Sequence, residues 1–343
     1  MTDIVARTDE PSNEARMLQY LFGFMGSQAI AVAARLRIAD LVAQGPKTLD
    51  ELALTTQAHT SSLRRMLQLL SSLGIFEEQP DGRYRQTSLS ATLRSDVPQS
   101  LRDYAIMLGS EFVWKSWGDL GATVVTGLPA FERTHGLPLF EYLTTHADSA
   151  AIFNAAMTSL SSTELRTILD AYDFSSFERI VDVGGGHGAF LYAILLAHPK
   201  LSGVLADKPS VVAGAAALRD AAVTQRCEIV GADFFSAVPE GADGYVAKSV
   251  IHDWNDKDAL TILRNCRAAI KADGKLLLIE RILKPANLPD LARFRDLQML
   301  VFTRGGCERT EAEFRALLGA AHFAVTRVIP TAGPLSIIEG RPV

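Results

Sequence analysis

The sequence predicts an α/β protein with a doubly wound, mostly parallel sheet in its C-terminal half. A largely helical N-terminal domain with a winged-helix pattern precedes it. Three observations carry this expectation. From Arg179 onward, short β-branched runs alternate with helical patterns. Residues up to about Ser100 read as helix, turn, helix and hairpin. The chain has 343 residues, 48% of them hydrophobic, enough for two domains with packed cores and too many for a disordered chain.

In the N-terminal part, Thr48-Leu-Asp-Glu51 is a capping box that opens a short helix. His59-Thr60-Ser61 opens a second helix, in which Leu63, Met66, Leu67, Leu70 and Leu73 fall at helical spacing. Gly74 suits the stop position. Ile75–Glu78 and Arg83–Gln86 flank the turn signal Pro80-Asp-Gly82, which predicts two strands. A winged helix raises DNA binding as a function. Through residue 100, however, ten Lys and Arg face eleven Asp and Glu, and the net charge of the chain is −5. A DNA reader needs a basic face, so a dimerisation or lid module is the better reading. The apolar run from Tyr20 to Ala34 is interrupted by Ser27 and Gln28 and is short for a bilayer span. The run Phe22–Ala34 suits a homodimer interface. The polar N-terminus carries no signal core, and three cysteines, Cys227, Cys266 and Cys307, make no disulfide framework or C-x-x-C pair. A cytoplasmic protein with no membrane or nucleic-acid partner is expected.

A helical stretch follows, with Phe112, Trp114, Trp117, Phe131, Phe140, Tyr142 and Phe153. Such residues pack a core or wall an aromatic pocket at a domain junction. The β/α series then begins. Strands are expected at Ile180–Val183, Val204–Ala206, Cys227–Val230, Gly244–Lys248, Lys275–Ile279, Val325–Val328 and Ser336–Ile338. Helices are expected at Phe190–Ala197, about Asp256–Ile270, near Leu291–Val301, and after the capping box Thr310-Glu-Ala-Glu313. The domains are accordingly 1–100, a helical linker 101–175, and 176–343.

Between the first strand and its helix stands Asp182-Val-Gly184-Gly185-Gly186-His187-Gly188. Glycines let the backbone turn tightly and approach a ligand. Asp207, at the end of the second strand, can accept both hydroxyls of a ribose. A dinucleotide and S-adenosylmethionine both fit that pair. Asp182, Asp207 and Asp233 make three carboxylates near strand ends, which suit a cationic, phosphate-free ligand better than a pyrophosphate. Strand four ends in Lys248-Ser-Val-Ile-His252-Asp253-Trp254-Asn255-Asp256. His252 therefore lies at the ligand edge of the sheet, and Glu280, ending the next strand, is placed to orient it as a general base.

DVGGGHG, LADKPSVV, GADFF, KSVIHDWND, LLLIERIL and CERTEAEF occur in that order and spacing. Together they resemble the plant and bacterial small-molecule O-methyltransferases of the caffeate, hydroxyindole and polyketide type, over nearly the whole chain. The resemblance implies a Rossmann-like class I methyltransferase domain, S-adenosylmethionine as cofactor, and a homodimer built through the N-terminal domain. It assigns His252 as catalytic base, held by Glu280 and Glu308. It places Gly184, Gly186, Asp207, Asp233, Phe234 and Lys248 at the cofactor, with Asp182 beside them. Met157 matches the methionine near the reacting methyl group, and Phe153, Trp114 and Asp253 join it on the acceptor side. The acceptor it implies is a small, phenolic hydroxyl compound. Lys208, Ala232 and Cys307 depart from the family's common residues without removing a group the chemistry needs. No metal is expected, since no His, Cys or carboxylate set has ligand spacing. Three other activities remain open: a family member with altered chemistry (hydroxylation or decarboxylation), a ligand-sensing winged-helix regulator and a nicotinamide-dependent oxidoreductase.

Overall fold

A computed structural model describes residues 12–343 and divides into two compact units, one through Ser110 and one from Glu111. The first unit opens on the helix Asn13–Arg35, capped by the Ser12 hydroxyl, which accepts from the Ala15 amide at 3.3 Å. Its C-terminal half buries Ala29, Ala31, Ala33 and Ala34 in the unit's core, while Met17, Leu18, Tyr20, Leu21, Phe22, Phe24 and Met25 lie exposed. The helix has 23 residues and is long and apolar enough, by length and composition, to cross a membrane. The expectation from the shorter run Tyr20–Ala34 is thus corrected: length alone excludes nothing. The alanine half, packed with Ile38, Leu67 and Leu70, instead ties the helix into a folded core.

The two helices and the hairpin expected of a winged helix form. Strand β1 (Lys47–Thr48) leads into the helix Leu49–Thr56, whose capping box forms with both reciprocal bonds. The helix Thr60–Ser72 buries Leu63, Leu67 and Leu70, and Gly74 follows with φ of 72°. Strands β2 (Phe76–Glu78) and β3 (Arg83–Gln86) form the wing, and the antiparallel order is β1-β3-β2. Glu77 and Arg85 pair with each other at 2.7 Å across it.

The second unit holds β4 (Arg179–Val183), β5 (Ser202–Asp207), β6 (Cys227–Gly231), β7 (Gly244–Lys248), β8 (Lys275–Glu280), β9 (Phe323–Pro330) and β10 (Ser336–Pro342). Their order is β6-β5-β4-β7-β8-β10-β9. The first five are parallel, whereas β10 runs antiparallel to both β8 and β9. The last two strands are longer than their apolar cores suggest. Antiparallel pairing carries polar residues such as Thr326, Arg327 and Glu339 on one strand pair, so hydrophobicity alone underestimates them. Helices Ala189–Ala197, Asp256–Ala269, Ala292–Phe302 and Glu311–Ala320 accompany the sheet, with two buried clusters dividing its core. Chain order reverses between β4 and β7, and in open α/β sheets ligands bind beyond the carboxyl ends at that point.

Candidate active site

The glycine loop leaves β4 at that switch point. Gly184 has φ of 68°, and a Cβ built on it would lie 2.9 Å from Val250 Cγ2 and 3.5 Å from the Phe234 ring. No side chain fits there. A Cβ on Gly185 would lie 2.4 Å from Asp182 Oδ2. Asp182 is therefore packed beneath the loop, fully buried. Neither of its oxygens has a hydrogen bond of good geometry among the described residues. Burial pushes its carboxyl up to about 7, against the pull of the Lys248 cation.

Asp207, at the end of β5, spans the loop mouth. Its Oδ2 accepts the Gly186 amide at 2.8 Å and its Oδ1 accepts the Lys208 amide at 2.7 Å. Burial raises its pKa despite those bonds. Each oxygen keeps a lone pair for a hydroxyl. Asp233, after β6, is exposed, and its Oδ1 accepts the Phe235 amide at 3.0 Å. Phe234 packs between the loop and Trp254, with ring centroids 5.9 Å apart. Lys248 Nζ reaches Glu164 Oε2 at 3.1 Å. Lys208 is exposed, with its ammonium 6.0 Å from the centroid of Phe140.

Beyond β7 the chain turns at Ser249, a non-glycine residue with φ of 54°, a strained conformation of the kind found at functional sites. Glu280 Oε1 accepts the amides of Val250 and Ile251 at 3.0 and 2.8 Å, fixing the turn Ile251–Asp253. His252 projects from it, buried. Its Nδ1 lies 3.0 Å from Glu308 Oε1 and 3.7 Å from Glu280 Oε2, and its Nε2 lies 3.6 Å from Asp253 Oδ1. Burial opposes charge on the ring, but Glu280, Asp253 and Glu308 outweigh it and hold the imidazole up at about 9. Burial also raises the carboxyls of Glu280 and Asp253.

The structure thus brings His252, Glu280, Glu308 and Asp253 together, and Gly184, Phe234 and Asp207 around the loop. Phe153 connects through Phe140 (centroids 6.3 Å), which stacks on Trp254 at 6.3 Å. Met157 lies one turn after Phe153 on the helix Ala147–Ala171, and Trp114 sits on Glu111–Trp117 with about a third of its surface exposed.

Three residues escape a reading of the sequence. Arg309 is buried, bonding the carbonyls of Ile251 (3.1 Å) and Trp254 (2.8 Å) and the Asp256 carboxylate (2.8 Å), so it clamps the turn that carries His252. Glu164 and Arg281 form a buried pair. The argument from ligand spacing also needs correction. His252, Glu280 and Glu308, far apart in sequence, place one donor atom each within 4.8 Å of one another.

The residues around the loop fit S-adenosylmethionine. Asp207 bonds the loop at its mouth and the orphaned Asp182 carboxylate lies beneath it, an acidic, phosphate-free lining suited to a cationic sulfonium. Replacing Asp207 with Ala is expected to weaken cofactor binding by about 1.5–3 kcal/mol for each charge-assisted bond lost. Calorimetric titration of the folded variant measures this, and unchanged affinity would place the ribose elsewhere.

Comparison with known proteins agrees. The family model for the O-methyltransferase domain matches residues 117–324, and that for the O-methyltransferase dimerisation domain matches residues 18–96, which take in most of the exposed apolar helix. A phenazine O-methyltransferase of Lysobacter antibioticus is 43% identical over 328 residues, 95% of this chain and 96% of its own. The crystal structure of an O-methyltransferase from neocarzinostatin biosynthesis, in complex with S-adenosylmethionine and 2-hydroxy-5-methyl naphthoic acid, is 33% identical. It has a TM-score of 0.78 over 92% of this chain and 96% of that one. Aclacinomycin 10-hydroxylase of Streptomyces purpurascens is 33% identical over 90% of this chain and 84% of its own. With the glycine loop, the His252 turn and both family models in register, the chain belongs to the S-adenosylmethionine-dependent O-methyltransferases and carries the dimerisation domain found among them.

Proposed function

We propose that the chain methylates a phenolic hydroxyl of a flat, small aromatic metabolite, with His252 as general base. The observation that carries this reading is His252 at the switch-point edge, pinned on Nδ1 by Glu308 and backed by Glu280. Bound S-adenosylmethionine supplies an electrophilic methyl group; Gly184, Gly186, Asp207, Asp233, Phe234 and Lys248 would hold it. A phenol, with a pKa near ~10 as in tyrosine, is a poor nucleophile while protonated. His252 takes up or holds that proton at Nε2, and Glu280 and Glu308 stabilise the imidazolium. Asp253, beside Nε2, keeps the positive charge directed toward the acceptor oxygen. Phe153, Met157 and Trp114 form the acceptor side, contributed by the helical stretch 101–175. The exposed apolar face of Asn13–Arg35 is the surface a second copy covers, and we place the enzyme in the cytoplasm.

A radiolabelled methyl-transfer screen against phenols tests this reading, with product mass gaining one methyl group. The hydroxylase relative supports a second reading, in which the product instead gains one oxygen atom; mass spectrometry separates the two. The same assay run in EDTA is expected to show full turnover, because His252, Glu280 and Glu308 act as charge partners rather than metal ligands. Loss of turnover in EDTA, restored by a divalent cation, would reassign that trio.

A further inference from the structure

The helix Ala147–Ala171 touches the site at two places three turns apart. At one end Phe153 meets Phe140, which stacks on Trp254 next to the His252 turn. At the other, Glu164 forks between two cations. Its Oε2 lies 3.1 Å from Lys248 Nζ, at the end of β7, and its Oε1 lies 2.8 Å from Arg281 Nη2, directly after Glu280 at the end of β8. All three side chains are at least nine-tenths buried. Residues 153, 157 and 164 fall at helical spacings of four and seven and so share one face. Met157 lies between the two anchors.

We propose that Glu164 is a positioning residue for methyl transfer. It ties the Met157-bearing helix to the carboxyl ends of both strands that carry the catalytic groups. One carboxylate thereby sets the distance between the acceptor-side helix and the His252–Glu280 platform. The geometry is stiff because pulling the buried carboxylate away from either cation would leave charges buried without a partner. Lys248 also sits in the field of Asp182 beneath the glycine loop, so the same fork reaches the cofactor floor. The inference rests on the reading of Met157 as the residue beside the reacting methyl group. Its effect falls on the rate of transfer, since a displacement of about 1 Å from a near-attack geometry costs on the order of 10²-fold.

The test uses the full-length protein with Glu164→Gln, Glu164→Asp, Met157→Ala and Glu164→Gln/Met157→Ala. kcat and KM are measured for a phenol the wild type methylates, S-adenosylmethionine affinity by calorimetry, and hydrogen exchange over 147–171. Glu164→Gln is expected to lower kcat on the order of 10²-fold while cofactor affinity changes by no more than a few fold. Exchange over 147–171 rises, and Glu164→Asp recovers part of the rate. The double variant loses little beyond the greater single loss, because both changes act through one helix. Should Glu164→Gln not fold, Glu164→Gln/Arg281→Met removes the more tightly paired of the two stranded cations and carries the same expectation. Wild-type kcat in folded Glu164→Gln, or in Glu164→Gln/Arg281→Met where that stands in for it, overturns the proposal, as do losses that multiply without rescue by Asp. If Met157→Ala keeps wild-type kcat, the reading of Met157 fails and the proposal falls with it. If Met157→Ala loses rate and Glu164→Gln does not, the proposal alone fails.

Discussion

Replacing His252 with Gln is expected to lower methyl transfer on the order of 10²–10⁴-fold while leaving S-adenosylmethionine affinity nearly intact. In the proposed mechanism the base acts on the acceptor oxygen, whereas the residues proposed to hold the cofactor sit on the glycine loop and at the strand ends. The pH profile sharpens the test. In the free site the surrounding carboxylates hold His252 at about 9, so at neutral pH it already carries a proton. A phenol titrates near ~10. The productive complex has one proton shared between the two groups, so kcat/KM in the wild type should rise about tenfold per pH unit from 7 and level off near 9. In the Gln variant the rate follows the phenolate, so the limb extends to the phenol's own pKa near ~10 and raising the pH partly rescues it. Glu308→Gln removes the acid closest to Nδ1 and should move the wild-type limb to lower pH. A Gln variant with wild-type turnover at pH 7 would reduce His252 to a structural residue and leave proximity as the source of rate.

Glu280 should matter to the fold as much as to the base. Its Oε1 accepts two backbone amides in a fully buried site. Two charge-assisted bonds at about 1.5–3 kcal/mol each make Glu280→Ala worth on the order of 3–6 kcal/mol, a large share of a domain's total stability. Glu280→Gln keeps a carbonyl oxygen for the amides and should lose much less, with a smaller loss of rate than His252→Gln. Guanidinium unfolding at pH 7 compares them, and equal stability of Ala and Gln would show that the amides are held otherwise. The pH dependence has a definite sign. The His252 pKa is raised on folding, so its contribution to stability is complete below about 6.5 and is lost as pH rises through about 9. Glu280→Gln weakens the raising interaction and so narrows that window.

Much of this was legible in the residues. The parallel strands read as short apolar runs because both faces are covered, and β7 falls on its expected bounds. The helices and hairpin of the N-terminal unit were signalled by Thr48, Gly74 and Pro80-Asp-Gly82. His252 and Glu280 stand out because each follows or ends a central strand, where position carries chemical meaning, and the fold brings them together. Arg309 left no such signal. The partners that make it a clamp on the His252 turn are backbone carbonyls more than fifty residues away, and a carbonyl has no signature in a sequence. Glu164 looked like any polar residue on a long helix, since Lys248 and Arg281 meet it only after the strands align. His252, Glu280 and Glu308 come within 4.8 Å of one another although no local spacing links them, because spacing rules describe local loops and not groups gathered from three separate segments.

The placement of β10 also dictates an order of events during synthesis. It is the last strand in the chain but lies inside the sheet, between β8 and β9, with Ser336 paired to Glu280. Until the ribosome has released it, β8 offers an open edge of unpaired amides and carbonyls, and the segment bearing Glu280 has a neighbour on one side only. A nascent chain can therefore build the glycine loop early, from strands already made, yet its catalytic edge closes only when the final strand inserts. Stalled or clipped products that lack β10 would carry an exposed, apolar strand edge prone to aggregation, and these are the chains that quality control must clear.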